Sequence, residues 1–246
     1  MYDSYAEIFA ERGAAYHRAM AECPAARDAE FLAVLEPLGD RPVRLLCDMP
    51  SGGAYLAAHL PPGMRYVGVD PSDDFIRAVP PGVVCIKSAI SSVPLDDDSV
   101  HYVVSLAALH HEPDLPAVFR EMRRLLRPGG CAVIADVAAG TPPARFLNGF
   151  VNQHNPMGHE GHFLDERTAG IIEEAGFSVA DDAIVDMPWR FESREEAGAF
   201  CRQLFWMPEL DAGAVANAME REIGFDVIDG RPHLRWALRR IVADAV

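Results

Sequence analysis

Two aspartates and a pair of glycines stand where apolar runs end in the first third of the chain. Asp48 ends one such run, Gly52 and Gly53 follow it, and Asp70 ends the next. In an open α/β sheet, ligands bind beyond the carboxyl ends of the strands, so these residues are expected to converge on one crevice. A glycine turn lets the backbone approach a ligand closely, and a carboxylate after the next strand can accept both hydroxyls of a ribose. The spacing predicts a site for a nucleoside-bearing cofactor.

Two common phosphate-binding patterns are missing from the sequence. Neither G-x-G-x-x-G nor the pattern G-x-x-x-x-G-K followed by Ser or Thr occurs. These patterns present backbone N–H groups and a helix N-terminus to a pyrophosphate or triphosphate. A dinucleotide or nucleoside triphosphate is therefore not the expected ligand.

Histidines are the candidates for a catalytic base. His110 and His111 follow the fourth apolar run, and a later loop carries His154, His159 and His162. Imidazole is suited to remove a proton from a hydroxyl or amine near neutral pH, and we take His110, His111 and His162 as catalytic candidates. For any one histidine taken singly, a loop or core role is the stronger interpretation. The loop histidines lack a surrounding carboxylate pattern, so no metal is expected.

Five stretches in order resemble the class I S-adenosylmethionine-dependent methyltransferases. They are the strand and turn 43–56, the strand ending at Asp70, the strand ending before Ser88, the stretch 99–111, and 124–130 with the strand that follows. Pro50 and Ala54 stand where that family has glycine, and Ser88 stands where it often has aspartate. The resemblance implies S-adenosyl-L-methionine as cofactor. The cofactor-binding residues it implies are Asp48, Pro50, Gly52, Asp70, Pro71, Ser88, Ala89, Ser105 and Leu106.

Alternation of apolar strands and helices indicates an α/β fold in one domain. The resemblance implies a Rossmann-like, doubly wound, seven-stranded sheet that is mostly parallel, with an antiparallel last strand and helices on both faces. The expected strands are 43–48, 65–70, 83–87, 100–106, 131–137, 177–186 and 233–243. Between the early strands, helices are expected to start near Gly53, Ser72 and Leu115. The expected organisation is an N-terminal helical lid (1–40), a cofactor-binding core (41–187), a helical insertion over the substrate pocket (188–230) and the last strand (231–246).

Aromatic residues outside the predicted sheet are candidates for the acceptor pocket. Many of them lie in the leading segment and at the start of the insertion, where helical spacing also fits a plain core role. The substrate-binding candidates are Tyr5, Phe150, His154, Phe205 and Trp206.

Composition limits the partners and the location. The formal net charge of −15 repels polyanions, so nucleic acid is an unlikely substrate. No apolar run approaches the roughly 20 residues needed to span a bilayer, and the N-terminus lacks a secretory pattern, so a cytoplasmic protein without a membrane partner is expected. The five separated cysteines support neither disulfides nor a zinc cluster. The oligomeric state stays open.

The predicted function is methyl transfer to the oxygen, nitrogen or carbon of a small-molecule acceptor, with specialised metabolism as one source. Fold alone does not decide the chemistry, so two alternatives stay open. One is an enzyme that binds the same cofactor but performs a cyclisation or decarboxylation. The other is a non-catalytic binding protein on the same fold.

Overall fold

The computed structural model describes residues 5–39, 41–42 and 44–246, with side chains from Ile8 onward. Its strands are β1 (Leu45–Asp48), β2 (Arg65–Asp70), β3 (Cys85–Lys87), β4 (Val100–Leu106), β5 (Leu126–Asp136), β6 (Phe177–Asp186), β7 (Trp189–Arg190), β8 (Phe225–Ile228), β9 (Arg231–Leu234) and β10 (Ala237–Ala245). Seven of them form the main sheet in the order β3-β2-β1-β4-β5-β10-β6. Strand β10 runs antiparallel to both of its neighbours, whereas the pairs from β3 to β5 are parallel. The predicted fold class is confirmed.

Helices cover both faces of this sheet. The α-helices are α1 (Tyr5–Glu22), α2 (Asp28–Leu35), α3 (Asp73–Ala78), α4 (Leu115–Leu125), α5 (Pro142–Arg145), α6 (Asn152–His154), α7 (Thr168–Glu174), α8 (Arg194–Leu204) and α9 (Ala212–Glu222). A π-helical stretch, Phe146–Val151, joins α5 to α6, and short 3-10 helices occupy Glu36–Leu38, Tyr55–His59 and Leu109–His111. Within the described residues, no helix is both long and apolar enough to cross a membrane.

The sequences of the central strands are nearly continuous apolar runs because helices cover both faces of the sheet. Leu46 and Cys47 are fully buried neighbours, yet they belong to two different hydrophobic clusters. Successive side chains of a strand point to opposite faces, so the sheet divides the core into two layers. Side-chain caps fix where the covering helices begin: Ser72 caps α3 and Asp114 caps α4 by accepting backbone N–H groups.

Helix α1 connects the sheet's first helical layer to the inserted segment. It packs against both α3 and α8. Phe9 lies with its ring centroid 4.5 Å from that of Phe75, and Gly13 passes so close to Asp74 that a Cβ there would lie 2.9 Å from the Asp74 Cβ. This close approach holds α1 across the carboxyl ends of the strands.

The end of the insertion differs from the helical segment predicted over 188–230. Helices α8 and α9 are present, but β8 and β9 then form a hairpin that pairs with β7 in a second sheet of three strands. Asp229 and Gly230, with φ of 52° and 77°, make the hairpin turn, and an Asp-Gly pair favours such a turn. The last strand therefore begins at Ala237 and not at 233. Strand β5 also begins earlier than predicted, at Leu126.

The contact between α8 and α9 gives a stability prediction. A Cβ at Gly198 would clash with the backbone carbonyl of Ala212, so Gly198→Ala should lower the free energy of unfolding by about 1 to 3 kcal/mol. Gly170 in α7 has no atom within 4 Å of an added Cβ, so Gly170→Ala should raise it by about 0.5 to 1 kcal/mol. Urea denaturation of both variants measures the difference. Equal effects of the two substitutions would contradict the close packing of α8 on α9.

Candidate active site

Three consecutive residues with positive φ make the turn after β1. Gly52, Gly53 and Ala54 have φ of 56°, 96° and 63°. Glycine adopts this left-handed region readily, whereas Ala54 does so at a steric cost. The helix expected to start near Gly53 is therefore only the short 3-10 helix Tyr55–His59, and the turn directs the Gly52 N–H toward the neighbouring strand.

Asp70 ties this turn to the end of β2. Its Oδ2 accepts a hydrogen bond from the Gly52 backbone N–H at 2.8 Å, and its Oδ1 accepts one from the Ser72 N–H at 2.9 Å. The side chain is fully buried. The two strand ends that the sequence predicts to converge are thus joined by one carboxylate.

Asp48 is a buried carboxylate of a different kind. It is 3% exposed, and its Oδ2 accepts a hydrogen bond from the Tyr66 hydroxyl at 2.7 Å. Burial raises the pKa of Asp48 to about 7; the Tyr66 hydrogen bond opposes this rise and the nearby charge of Asp70 adds to it. Asp48 therefore changes its charge near neutral pH.

A first cavity opens beside this turn. It encloses about 480 Å³, part of it open to solvent, and four predicted cofactor residues line it: Asp48, Pro50, Gly52 and Leu106. The N-terminal helices supply the facing wall, which includes Phe9, Tyr16 and Arg27. The cavity thus combines a carboxylate with a guanidinium, the complement of an amino-acid zwitterion.

The other predicted cofactor residues lie outside this cavity. Pro71 is half-buried, Ala89 is exposed, and the Ser88 hydroxyl donates to the backbone carbonyl of Ser92 at 2.7 Å. Ser105 is 1% exposed, and its hydroxyl has no hydrogen-bond partner within the described part of the chain. Their part in cofactor binding stays a prediction.

A second cavity adjoins the first and shares Phe9, Tyr16, Arg27 and Ala107 with it. Its empty space is about 470 Å³, part of it open to solvent. Aromatic rings from the insertion and the segment after the hairpin line one side: Trp189 stacks on Trp236 with centroids 4.4 Å apart, and Phe205 stacks on Trp189. The buried Trp236 indole N–H has no hydrogen-bond partner among the described residues.

Three histidines meet on the opposite side of the second cavity. One ring nitrogen from each of His110, His111 and His159 lies within 4.8 Å of the other two. The Nδ1 of His110 lies 2.7 Å from the Oδ1 of Asp136, at the end of β5. Burial lowers the pKa of His111 and of His159 well below 6.5, and the charge of Arg12 lowers both further. These two imidazoles are therefore neutral at pH 7.

Asn148 holds the loop that carries His159. Its Oδ1 accepts the Gly161 N–H at 2.9 Å, and its Nδ2 donates to the Gly161 carbonyl at 3.0 Å. The same Oδ1 lies 3.1 Å from the Nδ1 of His159. A side chain of the π-helical stretch thus positions a histidine from the following loop.

The structure separates the predicted catalytic and substrate residues. His110, His111 and Phe205 line the second cavity. His162 has an exposed side chain, although its backbone N–H donates to the His110 carbonyl at 2.9 Å. Among the candidates whose side chains are described, three do not line it: Phe150 packs on His154 with centroids 4.6 Å apart, and Trp206 is half-buried next to Phe205. The side chain of Tyr5 lies outside the described residues, so its place in the acceptor pocket stays a prediction.

Sequence reasoning missed a buried ion pair in the wall between the cavities. Arg27 donates to Glu30 Oε2, and the Trp189 indole N–H donates to Glu30 Oε1 at 2.9 Å. Burial raises the pKa of Glu30, and the charge of Arg27 opposes this rise. The available signal was the pair of opposite charges three residues apart, Arg27 and Glu30, directly before the apolar run 31–35.

The order and direction of the strands define a Rossmann-like fold, and comparison with known proteins indicates the family. Residues 47–134 match the family model described as methyltransferase domain. The resemblance read from the sequence is thereby confirmed: this segment is a methyltransferase domain of the class I S-adenosylmethionine-dependent kind.

Individual relatives agree with this assignment over part of their length. An uncharacterized methyltransferase of Mycobacterium leprae is 32% identical over 98 residues, which are 37% of this chain and 36% of that protein. The phthiotriol/phenolphthiotriol dimycocerosates methyltransferase of the same organism is 28% identical over 119 residues, 46% of this chain and 44% of that protein. The matched part thus covers less than half of these relatives' length.

A solved structure extends the similarity of fold to nearly the whole chain. Geranyl diphosphate C-methyltransferase from Streptomyces coelicolor, solved with Mg²⁺, geranyl diphosphate and S-adenosyl-L-homocysteine, matches 94% of this chain and 84% of its own with a TM-score of 0.57. Its sequence identity is 18%, so the comparison concerns the fold alone.

The raised pKa of Asp48 predicts how stability depends on pH. The folded pKa of about 7 exceeds the unfolded value of 3.8, so ionisation of Asp48 reduces the free energy of unfolding as pH rises between these values. Asp48→Asn should therefore stabilise the protein at pH 8, by up to about 4 kcal/mol, and have little effect at pH 4. Denaturant unfolding at both pH values measures this.

Asp73 provides a control on the surface. Its carboxylate is paired with Lys87, which lowers its pKa, so Asp73→Asn should destabilise the protein at pH 8 and not stabilise it. If Asp48→Asn also destabilised the protein at pH 8, ionisation of Asp48 would not reduce the free energy of unfolding, and the prediction would be wrong.

Proposed function

We propose that this protein transfers the methyl group of S-adenosyl-L-methionine to a small-molecule acceptor bound in the second cavity. The observation that carries the proposal is the wall shared by the two cavities. One cavity offers Asp48, Arg27 and a glycine turn, and the other offers stacked aromatic rings and a histidine cluster. Donor and acceptor would therefore be held next to each other and covered by α1, as an in-line displacement requires.

The residues of the first cavity fit the methionine end of the cofactor. The Asp48 carboxylate would hold its ammonium group, Arg27 its carboxylate, and the Gly52 backbone would line its path. When bound, the cofactor supplies an electrophilic methyl group on a sulfonium. Asp70 ends β2 and Pro71 follows it, and Ser88 and Ala89 follow β3 at the same edge of the sheet. We propose that these four residues bind the adenosine end of the cofactor.

The second cavity suits an acceptor with a flat or apolar body and one polar atom. Trp189, Trp236 and Phe205 offer aromatic faces, and the Trp236 N–H requires a hydrogen-bond acceptor. Two similar methyltransferases are named for phthiotriol/phenolphthiotriol dimycocerosates and for geranyl diphosphate. Geranyl diphosphate joins an apolar chain to a charged diphosphate, so these names support an acceptor with an apolar body and a polar end. The acceptor's nucleophilic atom would be activated at the histidine cluster, where Asp136 orients His110.

Cofactor affinity should depend on the charge of Asp48. An ammonium ligand favours the ionised carboxylate, so the affinity for S-adenosylhomocysteine should rise as pH increases from 5.5 toward 7.5, by up to about tenfold per pH unit. Asp48→Asn should weaken binding at pH 7.5 by about tenfold or more and flatten this dependence. Titration calorimetry at several pH values measures both effects. An unchanged pH profile in the variant would remove Asp48 from the cofactor site.

Activity should depend on His110 without a matching change in cofactor affinity. His110→Gln removes the oriented imidazole, so the rate of S-adenosylhomocysteine release with cell metabolites as acceptors should fall by about 10² or more. His233→Gln on β9, outside both cavities, is the matched control. Release of S-adenosylhomocysteine also separates methyl transfer from a cyclase or a binding protein, because only methyl transfer consumes the cofactor. Equal rates in the two variants would exclude His110 from the chemistry.

A further inference from the structure

We propose that His110, His111 and His159 form a binding site for one divalent transition-metal ion in the second cavity. His110 and His111 come from the 3-10 helix after β4, and His159 comes from the loop after α6. Their ring nitrogens, one from each, all lie within 4.8 Å of one another. His110 and His159 are 6% and 5% exposed. A trihistidine set with an open side toward a cavity is the arrangement of a catalytic metal site, which keeps one position for water or substrate.

The outer hydrogen bonds of two of these histidines fix which nitrogen is available. Asp136 accepts from the Nδ1 of His110, which leaves Nε2 with a lone pair. The oxygen of Asn148 is identified by the Gly161 N–H that it accepts, so the Nδ1 of His159 must be the donor in their contact. A carboxylate or amide on the far nitrogen is the usual support of a metal-binding imidazole.

The lone pairs of His110 and His159 cannot hydrogen-bond to each other. Asp136 and Asn148 take the Nδ1 hydrogens of these two rings, so each Nε2 that keeps a lone pair can only accept, and one cation between the rings would satisfy both. The expectation that no metal is bound rested on the loop histidines alone. In the structure, His159 instead meets His110 and His111, and neither His154 nor His162 belongs to this cluster. Asp136 supplies a supporting carboxylate through its contact with His110.

Arg12 opposes the metal and gives the proposal a distinctive test. Its guanidinium lies 3.3 Å from the Nε2 of His111, so His111 must exchange this contact for the metal, and the positive charge weakens the binding of a dication. Nitrogen ligands select zinc, cobalt, iron or nickel over magnesium and calcium. The role of the ion rests on the proposed function: it would favour an acceptor with an oxygen or nitrogen atom that can coordinate it, and His110 would then act as a ligand and not as a base.

The experiment titrates the chelator-treated full-length protein with Zn²⁺ and with Co²⁺, using calorimetry and the visible absorption of bound cobalt. The wild type should bind one equivalent of each metal. His110→Gln and His159→Gln should weaken binding at least 100-fold, whereas His233→Gln should bind as the wild type does. Asn148→Ala should weaken it about 10-fold through loss of the outer hydrogen bond. Arg12→Gln should strengthen it several-fold.

Two results would overturn the proposal. One is a folded wild type that binds less than one equivalent of both metals, and the other is equal binding by His159→Gln and His233→Gln. Circular dichroism shows whether each variant is folded. Binding of S-adenosylhomocysteine is measured on the same samples. If the protein binds metal but not S-adenosylhomocysteine, the proposed function is contradicted and the metal site still holds. If it binds S-adenosylhomocysteine but no metal, only the metal site is refuted.

Discussion

The buried ion pair between Arg27 and Glu30 is the constraint on which the arrangement of the two cavities depends. Arg27 is 5% exposed and Glu30 is 0% exposed. Charged side chains this deeply buried are stable only when their hydrogen-bonding groups have partners. Glu30 achieves this with Arg27 and with the indole of Trp189, which belongs to the second sheet. Arg27 also donates to the Tyr16 hydroxyl of α1. The pair therefore fixes the leading helices against the inserted segment, and the space that remains on either side becomes the cavities.

Functional groups reach these cavities from elements that have little else in common. The glycine turn and the histidines of the 3-10 helix follow parallel strands, where the sheet edge brings them together. His159 arrives through a loop clamped by Asn148, and Phe205 arrives at the end of α8. The ends of the parallel strands thus supply residues proposed for the cofactor, while the added segments supply many of those proposed for the acceptor.

The parts of this arrangement that the sequence predicts are those governed by local patterns. Apolar runs ending in Asp48 and Asp70 predicted both strand ends, and Ser72 and Leu115 predicted two helix starts, because strand burial and capping act over a few residues. The hairpin after α9 had a local signal, the pair Asp229-Gly230. The prediction missed it because these residues were assigned to the boundary between the helical insertion and the last strand.

The acceptor side could not be predicted because its contacts join residues far apart in the chain. Nothing near His159 indicates that it meets His110 and not His162, since that choice depends on how Asn148 bends the loop. Burial of Arg27 and Glu30 is likewise decided by Trp189, about 160 residues away. Family resemblance supplied the cofactor side, where motifs are short, and gave little guidance for the added segments.

Four residues that line both cavities would link the two proposed binding events thermodynamically. Phe9, Tyr16, Arg27 and Ala107 each face two compartments, and three of them come from α1 or the segment just after it. Any change in their position that one ligand favours alters the affinity for the other by the same factor in both directions. Under the proposed function, the order in which the two ligands bind and the ease with which the second product leaves would therefore depend on these shared residues and not on either cavity alone.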